Sequence, residues 1–267
     1  MSTFTHYLNI KTKIMNTKIV SFGEILLRLS KPDYQRLTQG HRMLGNYGGS
    51  EANTAISLAC LGNNVEYVTR LPYSAMGEAA LMHLREYGLN VNHVVRGGER
   101  LGTYYFEEAV AMRNSHVIYD RKNSAMYSLK RGMVEWDKVL ADAGMFHCSG
   151  ITCAISHDSM ESTMDALKLA EEKGLTIVCD INYRKNLWGY GMQPHDVIYN
   201  MMQYSDVVFG DQNEWEVASG IKHIPFEAQD ACYFINRDSY QDYFRKMHKL
   251  FPKCRKMIMA LRNQLAS

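Results

Sequence analysis

Tyr47-Gly48-Gly49-Ser50-Glu51-Ala52-Asn53 is the most informative segment of this chain. Two adjacent glycines lead into a small-residue run, Ala52, Ala55 and Ala59, that closes at Gly62. Glycine pairs let backbone amides approach a ligand with no side chain between. A helix start supplies further N–H groups that no residue of the same helix can accept, and Asn53 adds a side-chain amide in the same space. The pattern suits a polyhydroxylated or anionic small molecule.

Outward from this loop, strand-like and helix-like segments alternate, which predicts a mostly parallel sheet covered by helices. Strands are expected at Ile19–Ile25, Val65–Thr69, Met145–Ser149, Thr176–Ile181, Val207–Phe209 and Lys256–Ala260. Helices are expected at Glu51–Leu61, Gly77–Tyr87, Glu135–Ala141, His157–Glu172, Asp196–Gln203 and Gln212–Ser219. Met160, Met164, Leu167 and Ala170 form the core stripe of the longest helix, and Lys173-Gly174 marks its end. Two β-rich regions, 26–44 and 91–127, break the alternation. Thr103–Ala109 and His116–Tyr119 can pair as a hairpin, so these regions read as a small β-sheet lid. Beyond Ile221 the pattern weakens to recurring aromatics, Phe226, Tyr233 and Phe234 among them.

Composition narrows the function classes. The 267 residues carry a formal charge of +2, 46% hydrophobic and 22% charged residues. That balance gives no electrostatic case for nucleic acid or an anionic membrane. The densest basic run, Lys253, Arg255, Lys256 and Arg262, reads as a solvated face. No apolar stretch approaches the roughly 20 residues of a bilayer span, and the N-terminus has no secretory pattern. Residues 1–17 read as a disordered extension, with Met15 a candidate start, ahead of a domain covering 18–267. The six cysteines show no zinc or redox spacing, and Cys60, Cys148 and Cys179 read as buried thiols. The cytoplasm is the natural compartment.

Three further clusters carry chemistry. Tyr119-Asp120-Arg121-Lys122 follows the lid hairpin. Asp180-Ile181-Asn182-Tyr183-Arg184 ends a strand, on the sheet edge where ligands bind in open parallel sheets. Arg121 and Arg184 can each hold a carboxylate or phosphate through paired hydrogen bonds, which favours an acidic substrate over a neutral sugar. The alternatives are a surface ion pair for Arg184, a turn cap for Asp180 and a solvated Arg121. In Asp211-Gln212-Asn213-Glu214-Trp215-Glu216, Asp211 and Glu214 have capping-box spacing, while Asn213 and Glu216 can serve near magnesium and phosphates through water. His147 and His157 lack ligand spacing and read as structural.

These clusters resemble the ribokinase-like (PfkB) family of carbohydrate kinases, from about Lys18 onward. GGSEANTAISLACLG is similar to that family's first signature, and Asn213 to Glu216 is similar to its N-x-x-E motif. Within the family the chain resembles the 2-keto-3-deoxygluconate kinases, through SFGEILLRLS, VTRLP, VIYDRKNSA and DINYRKNLW. The resemblance implies a three-layer α/β/α sandwich with a β-lid through which two copies can pair. It implies ATP and Mg²⁺ as cofactors, and phosphoryl transfer to the terminal hydroxyl of a sugar acid. By it, Gly48, Gly49, Asn53, Tyr104, Tyr119, Arg121 and Arg184 would contact substrate. Asp180, Asn182, Asn213 and Glu216 would lie near magnesium and phosphate, with no direct metal ligand. The family's base is the aspartate of a G-A-G-D segment, and these 267 residues contain no such string. The base is therefore expected C-terminal to Ser267, in a chain shortened within its large domain. A kinase for another sugar such as fructose, or a sugar-acid-binding module without catalysis, remain the alternatives.

Overall fold

The computed structural model describes residues 17–225 and 236–261. The extension expected at the N-terminus falls almost wholly outside them, as do Phe226, Cys232, Tyr233, Phe234 and Arg262. The chain divides into two compact units, Met1–His147 and Cys148–Ser267.

In the first unit, β1 (Lys18–Phe22) is buried along its whole length. It lies between β4 (Val65–Val68) and β9 (Ala143–Ser149), parallel to both. A strand with neighbours on both sides and both faces covered is rich in apolar residues, and here Ile19, Val20 and Phe22 supply them. Phe22, Trp136 and Phe146 meet edge to face at 5.0 and 5.7 Å between ring centroids. Helix α1 (Ser50–Cys60) buries Ala52 and Ala55, whose small side chains bring its axis close to the strands. Helix α2 (Ala75–Glu86) starts where the Ser74 hydroxyl accepts from the Gly77 amide, and it buries Gly77, Ala80, Leu81 and Leu84 at helical spacing.

The expected lid is a four-stranded sheet ordered β3 (Leu44–Gly48), β2 (Leu26–Ser30), β7 (Thr103–Glu107), β8 (His116–Asp120). The hairpin forms as expected, with Tyr104 opposite Tyr119. Two details differ from the sequence reading. Tyr47 and Gly48 end a strand rather than a loop, because β3 pairs antiparallel with β2 and places Gly48 opposite Leu26. Residues 95–96 leave the lid altogether: β6 (Val95–Arg96) pairs with β5 (Arg70–Leu71).

In the second unit, β10 (Thr176–Asp180), β11 (Val207–Asp211) and β12 (Lys256–Ala260) run parallel in that order. The one-turn α3 (Trp136–Val139) of the first unit is shorter than the helix expected over 135–141. A second one-turn helix, α4 (Gly150–Cys153), opens the second unit. Helix α5 (His157–Glu172) matches its expected bounds, with a Ser156–Ser159 capping box and Gly174 at φ +70° beyond its end. Helices α6 (Pro194–Gln203) and α7 (Gln212–Ser219) also stand where the sequence put them. Helix α8 (Arg237–Leu250) gives the late aromatics their order, packing Tyr243 and Met247 around the buried Trp215 and Phe251. Arg255 and Lys256 of the basic run are exposed, as a solvated face requires, with Arg255 reaching Asp206 at 3.1 Å, while Lys253 is partly covered and its Nζ meets Glu171 at 2.8 Å.

One thiol was misread. Cys148 and Cys179 are buried, but Cys60 is exposed, because the apolar stripe of α1 runs through Ala52 and Ala55 and leaves position 60 on the solvent side.

Candidate functional site

Two clefts, one within each unit, take in six of the eleven sequence-nominated residues, and Gly49, Tyr119, Arg121, Asn213 and Glu216 are not in their linings.

The first, of about 440 Å³, is lined by Gly48, Asn53 and Tyr104 together with Arg28, Asn46 and the aromatic wall of Tyr47, His83 and Tyr87. Its floor is a tight piece of backbone. Gly49 is the N-cap of α1, and a Cβ there would stand 2.1 Å from the carbonyl oxygen of Glu24. Glycine is required by that approach, since nothing else leaves the backbone so close. At Gly48 a Cβ would come 3.3 Å from Asn53 Oδ1 and 4.0 Å from the Tyr104 hydroxyl. Asn53 Oδ1 accepts weakly from the Gly49 amide at 3.4 Å, which leaves its Nδ2 as the donor end of the side chain. Burial raises the Tyr104 phenol's pKa, against the neighbouring Arg28 charge that lowers it, so the hydroxyl stays a donor at neutral pH.

Strand register explains this convergence. Arg28 on β2 is opposite Asn46 on β3 and Tyr104 on β7, and Tyr104 is opposite Tyr119 on β8. Asn46, Arg28, Tyr104 and Tyr119 therefore form one row across the lid sheet, with the two tyrosine rings 6.1 Å apart.

Arg121 is not solvated. It is 8% exposed, its guanidinium carbon lies 4.7 Å from the Tyr119 ring centroid, and its Nε lies 3.6 Å from Glu24 Oε2. Glu24 Oε1 accepts from the Ser124 hydroxyl at 2.7 Å. Burial pushes the Glu24 carboxyl above its ordinary range, and Arg121 pulls it partly back. Sequence reasoning missed both Glu24 and Arg28, although both lie in SFGEILLRLS. The available signal was an acid and a base inside an otherwise apolar strand run.

The second cleft, of about 200 Å³, is lined by Asp180, Asn182, Arg184, Asp211 and Glu214 beside the half-exposed Phe209 and Ile258. Asn182 adopts φ +41° and donates to Asp180 Oδ2 at 3.1 Å, so the strand-end turn is tied locally. Arg184 donates to the Tyr183 carbonyl at 2.9 Å and meets Glu214 at 3.4 Å. The Asp211–Glu214 capping box forms with both bonds at 2.9 Å. The Glu214 carboxyl is pushed up, mainly by burial and then by the charges of Asp211 and Asp180. Asn213 is exposed on α7 and is not in the cleft lining. Glu216 faces the following loop, accepting from the His223 amide at 3.1 Å and pairing with its ring at 2.6 Å. That contact holds the Glu216 carboxyl below its ordinary range. Among the described residues no three His, Cys, Asp or Glu side chains are grouped to hold a metal directly.

The model of the pfkB family of carbohydrate kinases matches residues 16–250, and the chain belongs to that family. It is similar to 2-dehydro-3-deoxygalactonokinase of Haloferax volcanii, 35% identical over 176 residues, which are 65% of this chain and 54% of the relative. It is 27% identical over 209 residues to 2-dehydro-3-deoxygluconokinase of Bacillus subtilis, covering 78% of this chain and 64% of that one. The crystal structure of 2-dehydro-3-deoxygluconokinase from Thermotoga maritima superposes with a TM-score of 0.80 at 38% identity, covering 88% of this chain and 70% of that chain. The fold is thus the α/β ribokinase-like fold. The chain spans less than two thirds of the length of these curated relatives.

Proposed function

We propose that the protein acts on a sugar acid, with ATP-dependent phosphorylation of 2-keto-3-deoxygluconate at its 6-hydroxyl as the reaction, in the cytoplasm. The observation that carries this reading is the first-unit cleft. Backbone approach at Gly48 and Gly49, the Asn53 amide and the Tyr104 hydroxyl offer directed donors to a polyhydroxylated ligand, beside an arginine rather than a carboxylate. Gly48, Gly49, Asn53, Tyr104, Tyr119 and Arg121 are the proposed sugar contacts there. In the second unit, Asp180, Asn182, Asn213 and Glu216 are proposed near phosphates and Mg²⁺, and Arg184 to take an anionic group, with Glu214 as its resting partner.

The donor chemistry of the second cleft fits magnesium through water. Asp180, Asp211 and Glu214 supply hard oxygens, while the lack of a three-ligand group among the described residues argues against a dry cage. When bound, magnesium and ATP would supply charge neutralisation and the transferable phosphoryl group. Two copies pairing through the lid sheet would complete the assembly.

These 267 residues hold no G-A-G-D string, so we propose that on their own they bind the sugar acid and turn over at a negligible rate. The test is ligand protection and turnover measured on one preparation. Thermal protection by 2-keto-3-deoxygluconate and none by fructose is expected, with negligible ADP release in a coupled assay. Protection by fructose alone would overturn the sugar-acid reading, and turnover at ordinary kinase rates would place a working base within these residues. Sugar-acid affinity without any ATP binding would favour the second reading, a binding module.

A further inference from the structure

One turn of the first unit grips a buried carboxylate from two sides. After β8 the chain reverses over residues 121–124, where the Ser124 amide donates to the Arg121 carbonyl at 2.9 Å and Asn123 takes φ +61°. The Ser124 hydroxyl donates to Glu24 Oε1 at 2.7 Å, and Arg121 Nε stands 3.6 Å from Glu24 Oε2. Those last two atoms are shut off from water and neither makes a hydrogen bond, so opposite charge in a low dielectric is what joins them. Glu24 itself has little room to move. A Cβ at Gly102 would stand 2.5 Å from its Oε1, and its main-chain carbonyl is the group packed against Gly49. The residue thus joins the glycine loop, through its backbone, to the lid turn, through its side chain.

Arg121 is fixed at one end and open at the other. Its guanidinium carbon lies 4.7 Å from the centroid of Tyr119, whose ring stands 6.1 Å from that of Tyr104 in the cleft wall. The Arg121 charge reaches that wall, where it is among the groups that lower the Tyr104 phenol's pKa. Of its three nitrogens only Nε is closed to water, and among the described residues neither Nη makes a hydrogen bond, so both remain for a ligand. An arginine nine-tenths buried without a counter-charge would carry a heavy desolvation cost, and its long stem would let it relieve that cost by swinging out to water. The Glu24 carboxylate removes the reason to swing.

We propose that Glu24 is a positioning residue for sugar-acid binding. It keeps the Arg121 guanidinium seated on Tyr119, with both Nη groups free for the ligand's carboxylate, and it does so from outside the cleft lining. The inference rests on the reading above that Arg121 contacts a sugar acid, and adds what holds that arginine in place.

The test is a double-mutant cycle read by calorimetric titration of the 267-residue chain. Wild type, Glu24→Gln, Arg121→Gln and the double variant are each titrated with 2-keto-3-deoxygluconate and with fructose as the neutral probe. Wild type that does not bind the keto acid would end the sugar-acid reading and this inference together. Wild-type affinity retained in Arg121→Gln would overturn the inference alone, since no contact would be left to position. Arg121→Gln is expected to weaken the keto acid about 10- to 100-fold and Glu24→Gln about tenfold, with any fructose binding within about threefold in both. In the Arg121→Gln background, Glu24→Gln is expected to change keto-acid affinity less than about threefold, because a buried carboxyl without its cation takes up a proton and has no charge to lose. A Glu24→Gln loss that persists without Arg121, or that falls equally on fructose, marks a structural role and overturns the proposal. Unchanged or tighter keto-acid binding in Glu24→Gln overturns it too, since Glu24 would then be a competing charge. If Glu24→Gln does not fold, Ser124→Ala, which frees one carboxylate oxygen but keeps the charge, replaces it in the cycle. The same criteria apply: a keto-acid loss that vanishes without Arg121 supports the proposal, and any other pattern overturns it.

Discussion

Glu24 and Arg121 face each other at 3.6 Å with 4% and 9% of their side chains exposed, and a hydrogen bond from Ser124 holds the carboxylate's other oxygen. The pair ties the turn after β1 to the loop that follows the lid hairpin. Its charge state carries a pH signature. Burial sets the folded carboxyl above its ordinary 4.5, so between 4.5 and that raised value the folded chain binds more protons than the unfolded one. Stability from this group is greatest at low pH and declines as pH rises through that window. Urea unfolding of wild type and Glu24→Gln from pH 4.5 to 7 is expected to show wild type losing ground to the variant as pH rises. The opposite slope would mean that Arg121 outweighs desolvation.

His147 gives the contrary signature. Its Nδ1 is 2.9 Å from the Ser21 hydroxyl, and burial lowers its pKa from 6.5 to about 4. The unfolded chain binds the extra proton between those values, so stability is full above 6.5 and is lost as pH falls toward 4. A shift of that size corresponds to about 3 kcal/mol. Compared with His147→Gln, wild type is expected to lose stability on acidification from pH 7 to 4.5, read as a falling urea midpoint difference. A constant difference would show that the imidazole stays solvated.

The two glycines of the loop are expected to separate. Gly49→Ala drives a methyl into the Glu24 carbonyl at 2.1 Å, backbone against backbone, and should cost about 3 kcal/mol or prevent folding. Gly48→Ala meets the Asn53 side chain at 3.3 Å, which can yield, so stability should change by about 1 kcal/mol or less while the cleft narrows. Thermal melts rank the two, and equal effects would contradict the geometry.

Asp211 caps α7 and accepts from the Glu214 amide at 2.9 Å. Asp211→Ala is expected to cost about 1 kcal/mol of stability, and Asp211→Asn much less, by chemical denaturation. A larger loss for Asp211→Asn than for Asp211→Ala would show that the charge, not the cap, is what matters.

Much of this molecule was legible in the residues. Helices α5 and α7 were read to the residue because their starts carry serine and aspartate caps and their ends carry glycine. The lid hairpin was legible from the aromatic and β-branched residues gathered over 103–109 and 116–119. Tyr47 and Gly48 were not legible as strand, because β3 is half exposed and its apolar pattern is sparse. Cys60 was misread since a single apolar-looking residue near a helix end does not say which face it occupies. Glu24 was hidden in a run of apolar neighbours, where periodicity assigns a strand but no partner.

The α/β alternation, the double-glycine helix start and the kinase family can be read from the residues alone, because they depend on local propensity, capping and short motifs. The surroundings of each arginine emerge only once the chain is folded. Arg121 and Arg28 are equal cations in a string of letters. Strand register puts Arg28 in the wall of an acid-free cleft, whereas the loop after β8 folds Arg121 onto a carboxylate 97 positions earlier in the chain. Charge pairing is set by long-range burial, and no local pattern encodes it.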